Sequence, residues 1–356
     1  MRVCAKVEAT RPTKFSDSPA GNGTAAFRRA LLRWYDRNRR DLPWRETRDP
    51  YRIWLSEIML QQTRVAAVVQ HYRVFVERFP NVKALAASSE NAVLAAWSGL
   101  GYYRRARRLH QCAQEIVQKH HGRFPGNSEA LLALPGIGRY TAAAIASIAF
   151  GEAVAVVDGN VERVLQRLLG IHLSATQTWT QAQALLDKSR PGDFNQAMME
   201  LGATVCVPRV PLCEACPVKK WCASRGEVAR KPGIESKPPS RQNKQQIWCA
   251  LDWREGTGKG NGSGECQVRM VQRPRNDSLM PGMWELPHAS ASSPQLLAAA
   301  PWRTFRHSIT VTDYTVYVVR NTAFPAARGR WISIDRIPEI PITGLTRKIL
   351  KAGGII

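Results

Sequence analysis

From Ala26 to Phe150 apolar residues return every three or four positions, and this rhythm commits the first part of the chain to helices. Phe27, Leu31, Leu32 and Tyr35 mark one stripe; Val65, Val68, Val69, Tyr72 and Val76 mark another. Asp49-Pro50 has the form of an N-cap followed by a first-turn proline, which predicts a helix running to about Val69. Asn127-Ser128-Glu129 predicts a short helix ending near Ala133, and Gly151 closes the next. Further helices are expected over 161–169, 180–188 and 195–202. The texture then changes. A polar, Pro-rich stretch follows Gly226, and beyond it short runs at 247–252, 265–272 and 314–319 predict strands, with a hairpin loop over 256–264. The expected organisation is a disordered leader (1–24), a mainly α domain (25–225), a linker (226–245) and a smaller α+β domain (246–352).

Charge narrows the partner. Lys and Arg number 51 against 28 Asp and Glu, a formal net charge of +23, which suits a polyanion. Arg dominates the clusters, as in Arg37-Asn38-Arg39-Arg40 and Arg104-Arg105-Ala106-Arg107-Arg108, and Arg forks match phosphate oxygens. A GC-rich genome would also raise Arg content, so charge points to nucleic acid without naming a reaction. No stretch approaches the roughly 20 apolar residues that span a bilayer, and residues 1–24 lack the apolar core of a signal peptide. The expectation is a monomeric, cytoplasmic, nucleoid-associated bacterial protein with no membrane partner.

Of eight cysteines, Cys206, Cys213, Cys216 and Cys222 crowd into 17 residues with the spacing C-x6-C-x2-C-x5-C. Four thiolates hold either tetrahedral zinc or an iron–sulfur cluster. Zinc ribbons usually use two C-x2-C knuckles, and this loop has one, which favours a cluster. Arg209, Lys219 and Lys220 place positive charge beside it.

Three further segments carry candidate chemistry. Leu134-Pro135-Gly136-Ile137-Gly138-Arg139-Tyr140-Thr141 lies between two helical segments. Gly136 and Gly138 allow a tight hairpin with free N–H groups at the next helix start, a phosphate site without sequence preference; an ordinary helix–helix turn would read the same way. Asp158, in Val157-Asp158-Gly159-Asn160-Val161, reads most simply as an N-cap. Its functional reading needs a second carboxylate, and Glu57 supplies one from inside a mostly apolar helix, where desolvation raises a carboxyl pKa. The plainer role for Glu57 is a hydrogen bond at the core edge.

Together these pieces resemble the helix–hairpin–helix DNA glycosylase superfamily and, within it, the MutY-type adenine DNA glycosylases. The likeness is strongest from about Ala26 to Arg225 and rests on SEIMLQQT, LPGIGRYTAAAI, VDGNVERV and the four-cysteine spacing. It implies a helical glycosylase domain with a helix–hairpin–helix (128–151) and a [4Fe-4S] loop (206–222), followed by a Nudix-like domain. It implies hydrolysis of the N-glycosidic bond of adenine mispaired with 8-oxoguanine or guanine in double-stranded DNA, after the base is flipped out. By resemblance Glu57 is the general acid and Asp158 the carboxylate that stabilises the sugar cation, with Tyr140 and Asn160 orienting Asp158 and water. Gln62 and Tyr102 resemble residues inserted in the base stack, and Arg105 with the two hairpin glycines is expected at the DNA. Trp44, Arg45 and Gln196 resemble adenine-pocket residues.

Endonuclease III, a relative, has Lys where this chain has Tyr140; that amine attacks the sugar and leads to strand cleavage. Tyr140 therefore favours a monofunctional enzyme over a glycosylase/lyase. In the C-terminal domain the stretch from Arg273 to Pro287 fits the Nudix-like pattern, while 289–300 lacks the glutamates of an active Nudix hydrolase. Ser308 and Thr310 are expected to recognise 8-oxoguanine. The family commonly carries Phe-Ser-His there; Ile309-Thr310-Val311 keeps a hydroxyl and lacks the His. A DNA-lesion sensor without catalysis is the reading from another class.

Overall fold

The computed structural model describes residues 22–225, 243–255, 266–290, 300–309, 311–320 and 329–356. Most of the expected leader and linker, the 256–264 loop, 291–299 and Thr310 lie outside the described residues. Along the chain run α1 (Asn22–Asn38), α2 (Pro50–Leu60), α3 (Val65–Arg78), α4 (Val82–Ala87), α5 (Glu90–Trp97), α6 (Tyr103–His120), α7 (Ser128–Leu132), α8 (Arg139–Ala149), α9 (Gly159–Leu169), α10 (Ala175–Leu185) and α11 (Pro191–Thr204). Strands follow: β1 (Asn243–Leu251), β2 (Trp253–Glu255), β3 (Cys266–Gln272), β4 (Trp284–Glu285), β5 (His288–Ser290), β6 (Arg303–Ile309), β7 (Thr312–Arg320) and β8 (Arg330–Ser333), then helix α12 (Gly344–Ala352). Among the described residues no helix is long and apolar enough to cross a membrane.

Local chemistry accounts for most boundaries. Asp49 Oδ1 accepts from Tyr51 N (3.0 Å) at the start of α2, and Asn127 accepts from Ala130 N at the start of α7. Gly151 and Gly170, both left-handed, follow α8 and α9. One boundary departs from expectation. The helix opened by Pro50 stops at Leu60 instead of reaching Val69, and α3 restarts at Val65. Gln62, at φ 56°, breaks the run although neither Gly nor Pro is present to announce it.

By contacts the chain divides into two compact units. Residues 1–58 with 123–234 form the first, a helical unit whose core joins Phe27, Leu31 and Tyr35 of α1 to Leu165 and Leu168 of α9 and to Phe194, Met198 and Leu201 of α11. The second comprises residues 59–122 with 235–356. In it α3–α6 belong with two four-stranded sheets. One sheet has the order β5-β1-β7-β6 with β1 and β7 parallel; the other has β2-β3-β4 with β8 also on β3. Val268 and Met270 of β3, Val316 and Val318 of β7 and Ile349 and Leu350 of α12 form one core cluster. β1 begins at Asn243, inside the stretch expected to be linker.

Candidate active site

Glu57 sits on α2 in the first unit among Trp54, Leu55 and Ile58, and only 6% of it is exposed. Tyr140, near the start of α8, donates its hydroxyl to Glu57 Oε2 at 2.7 Å, and the same hydroxyl lies 3.4 Å from Met199 Sδ. Burial pushes the Glu57 carboxyl up to about 7; the Tyr140 hydrogen bond and the Arg45 charge pull against this, and the Asp158 charge adds to it. Tyr140 in turn is held well above its ordinary value by burial and by the negative charges of Glu57 and Asp158, so it stays a donor.

Asp158 is an N-cap, as its position suggested: Oδ1 accepts from Asn160 N (2.9 Å) and Val161 N (2.7 Å) at the start of α9. Oδ2 accepts from Asn160 Nδ2 at 2.9 Å. Its charge reaches Glu57, so the cap and the second carboxylate are the same group. Asn160 is thus hydrogen-bonded to Asp158, whereas Tyr140 bonds to Glu57. Arg163, which the motif gave no reason to single out, donates to Asn160 Oδ1 (2.8 Å), Gly202 O (2.7 Å) and Cys206 O (2.9 Å). Gly202 has no room for a side chain: a Cβ there would stand 2.6 Å from Asn160 Cβ.

Arg45 and Glu200 make the other charged group of this unit. Glu200, 1% exposed, accepts from Arg40 Nε and Nη2 and from Arg45 Nη2, each at 2.7 Å. Although burial works against ionisation, these bonds hold its carboxyl down at about 2. Arg45, expected in a base pocket, has its guanidinium engaged with Glu200 and with Arg40 O. Trp44 is buried and Gln196, on α11, is half-buried.

Gly136, at φ 79°, turns the chain between α7 and α8, and Gly138 caps α8 without a side chain. The first intrahelical bond is Ala142 N to Gly138 O, which leaves the Arg139, Tyr140 and Thr141 amides at the open end of the helix.

Cys206, Cys213, Cys216 and Cys222 all line one cavity. Arg167, on α9, reaches the same loop, donating to Val207 O (2.8 Å) and Pro208 O, with Nη1 3.4 Å from Cys206 Sγ. Burial and the neighbouring thiols push Cys216 up to about 11 when no positive group is bound. Among the described residues no group of three or more His, Cys, Asp or Glu side chains is arranged to hold a metal ion; the four thiols are ranged around the cavity instead.

In the second unit Gln62 and Tyr102 share an unusual backbone. Both are left-handed, at φ 56° and 49°, and both are exposed, Tyr102 by 56%. Arg105, expected at the DNA surface, turns its guanidinium onto this turn of the chain. It donates to Met59 O (3.0 Å), Gln61 O and Thr63 Oγ1 (3.0 Å) and lies over the Tyr102 ring, 5.2 Å from its centroid. Those carbonyls become acceptors only because α2 stops at Leu60, which no sequence rhythm announced. On the β6–β7 hairpin, exposed Ser308 donates to Asp313 Oδ1 at 2.5 Å, and Val311 at the tip is 52% exposed.

The model of the HhH-GPD superfamily of base excision DNA repair proteins matches residues 55–188. The adenine DNA glycosylase of Homo sapiens is 42% identical over 312 residues, covering 74% of this chain and 57% of the human protein. That of Arabidopsis thaliana is 41% identical over 303 residues, covering 75% of this chain and 48% of the plant protein. The chain thus spans about half of the length of these curated relatives. The solved structure of a thermostable thymine-DNA glycosylase matches with a TM-score of 0.53 and 33% identity over 56% of this chain and 95% of that one. With a match running through nearly the whole of that relative, the chain belongs to the HhH-GPD superfamily of base excision DNA repair proteins.

Proposed function

We propose that this chain is a monofunctional adenine DNA glycosylase that removes adenine mispaired with 8-oxoguanine or guanine in double-stranded DNA. The observation that carries the reading is the pair of unlike carboxyls. Glu57 is buried, keeps its proton up to about pH 7 and is hydrogen-bonded to Tyr140; Asp158 accepts from two backbone amides and from the Asn160 side chain. Such a pair divides the labour of glycoside hydrolysis between an acid and an anion.

In this reading Glu57 gives its proton to adenine N7. The C1′–N9 bond breaks, its electrons pass to the purine, and Asp158 faces the positive charge left on the sugar. Water adds to C1′ and returns a proton to Glu57, so one water is consumed and adenine and an abasic sugar are released. Tyr140 supplies no amine for attack on the sugar, which supports hydrolysis without strand cleavage. The amides after Gly138 receive a DNA phosphate, and Gln62 and Tyr102 enter the base stack. The sheets of the second unit serve as a Nudix-like body that reads the opposing base through Ser308 and Thr310, the latter outside the described residues.

Cys206, Cys213, Cys216 and Cys222 are the residues that would hold a [4Fe-4S] cluster. The donor set fits: four soft thiols surround one cavity, and the Arg167 guanidinium compensates thiolate charge. When bound, the cluster supplies a rigid cross-link for a basic loop. The protein acts as a monomer on the bacterial nucleoid.

The test is adenine release from a duplex with one A·8-oxoguanine pair, comparing wild type with Glu57→Gln and scoring strand scission with and without alkali. Alkali-dependent cleavage by wild type that disappears in the variant is expected. Binding without excision by wild type would move the reading to a lesion sensor. A borohydride-trapped adduct would move it to a glycosylase/lyase.

A further inference from the structure

Tyr102 presents a large aromatic ring to solvent from a backbone conformation that a non-glycine residue seldom holds. Something must secure it. The loop leading to it, Ser98-Gly99-Leu100-Gly101, has left-handed glycines at Gly99 (φ 107°) and Gly101 (φ 69°), and Trp97 Nε1 donates to Gly101 O at 3.0 Å. Those features allow the conformation; they do not fix where the loop stands.

Its anchorage comes from the other end of the sequence. Ser98, 2% exposed, donates to Ile342 O at 2.8 Å and accepts from Arg347 Nε at 3.0 Å. Tyr103, directly after Tyr102, donates to the same Ile342 O at 3.3 Å. Ile342 is itself tied to the sheet, since Trp284 N donates to Pro341 O (2.7 Å) and Thr343 N donates to Trp284 O (2.9 Å). Arg347 belongs to α12, whose first turn is capped by Thr343. A Cβ on Gly99 would meet Arg347 Cδ at 3.7 Å and His71 Nε2 at 3.0 Å, so the loop lies close against both. All of these residues belong to the second unit.

We propose that Ser98 and Arg347 are positioning residues, through which the C-terminal sheet and α12 hold the 98–102 loop so that Tyr102 stands ready to enter the DNA stack. The inference rests on the reading of Tyr102 given above. A residue acting through Tyr102 loses its influence once the ring is gone, and coupled sites show this as non-additivity.

The experiment uses the full chain and a duplex with 2-aminopurine beside an A·8-oxoguanine pair. It compares wild type, Ser98→Ala, Tyr102→Ala and the double variant, with Arg347→Lys as a second probe that keeps the charge and removes the Nε donor. Expected is a fluorescence rise on binding cut by about threefold in Ser98→Ala and Tyr102→Ala alike, with little further loss in the double variant. Single-turnover excision slows about tenfold on Ser98→Ala in the wild-type background and less than about twofold beside Tyr102→Ala. Arg347→Lys shows the same pattern at smaller amplitude and decides the matter if Ser98→Ala melts early. Equal slowing in both backgrounds, or unchanged fluorescence and rate, overturns the inference. If wild type excises nothing while the fluorescence pattern holds, the excision reading fails and the positioning role stands.

Discussion

The Tyr140 hydroxyl donates to Glu57 Oε2 across 2.7 Å, so a phenol near the start of α8 is the direct hydrogen-bond partner of the buried carboxyl on α2. That bond lowers the Glu57 pKa, against the larger effect of burial. Tyr140→Phe is therefore expected to raise it. Adenine release from the mispair should keep its acid-side rate while the alkaline limb, near pH 7 in wild type, moves upward. A pH–rate profile under single turnover checks this, and a limb that stays in place or moves down is inconsistent with it.

Glu57 also makes a statement about stability. Its carboxyl rises from 4.5 to about 7 on folding, so the folded chain binds the proton more tightly than the unfolded one. That stabilisation is fully present below pH 4.5 and is lost as pH rises through about 7. The loss amounts to about 3 kcal/mol at pH 8. Glu57→Gln, which cannot ionise, should melt higher than wild type at pH 8 and close to it at pH 4. Equal melting offsets at both pH values would contradict the burial of this charge.

Glu200 carries the opposite sign. Its carboxyl is held down at about 2 by Arg40 and Arg45, so its contribution is present above pH 4.5 and fades as pH falls toward 2. Glu200→Gln leaves two guanidinium groups facing a neutral partner and should cost roughly 3 kcal/mol at neutral pH. Urea unfolding at pH 7 and pH 3 should show the gap between variant and wild type narrowing in acid.

Gly202→Ala tests the packing behind Asn160. The added methyl would stand 2.6 Å from Asn160 Cβ and 3.1 Å from Asn160 O, neither of which is the far end of a flexible chain. Asn160 must move, and with it the bond to Asp158 Oδ2. Excision is expected to slow at least about tenfold, with a stability loss of about 1–3 kcal/mol from overpacking. An unchanged single-turnover rate would show that Asn160 can yield without disturbing Asp158.

How much of this was legible in the sequence follows from how local each cause is. Asn127, Asp49 and Gly151 mark helix boundaries by their own chemistry, and the four cysteines declare their loop by spacing. Glu57 stood out because a carboxylate inside an apolar stripe needs a reason. The turn at Gln61-Gln62-Thr63 was hidden, because its left-handed residue is not glycine and Arg105, 42 residues beyond Thr63, supplies bonds that hold it. The parallel pairing of β1 with β7, the grouping of α3–α6 with the sheets and the Ser98–Arg347 contact depend on residues far apart in the chain, which no local rhythm reports. Arg163 was missed for a related reason: a mid-helix arginine reads as surface until its distant acceptors, Gly202 O and Cys206 O, are in place.

Asp158 begins α9 through Oδ1, and the charge of the same carboxylate is felt at Glu57, so the group that starts a helix also sets the field of the site. Folding and chemistry thus draw on one functional group. The two demands select different substitutes: a neutral cap such as Asn or Ser would preserve the helix and discard the charge, while Glu would keep the charge and lose the reach to both amides. A chain with Asn or Ser here is expected to fold, and would be a natural starting point for a protein that grips DNA without removing a base.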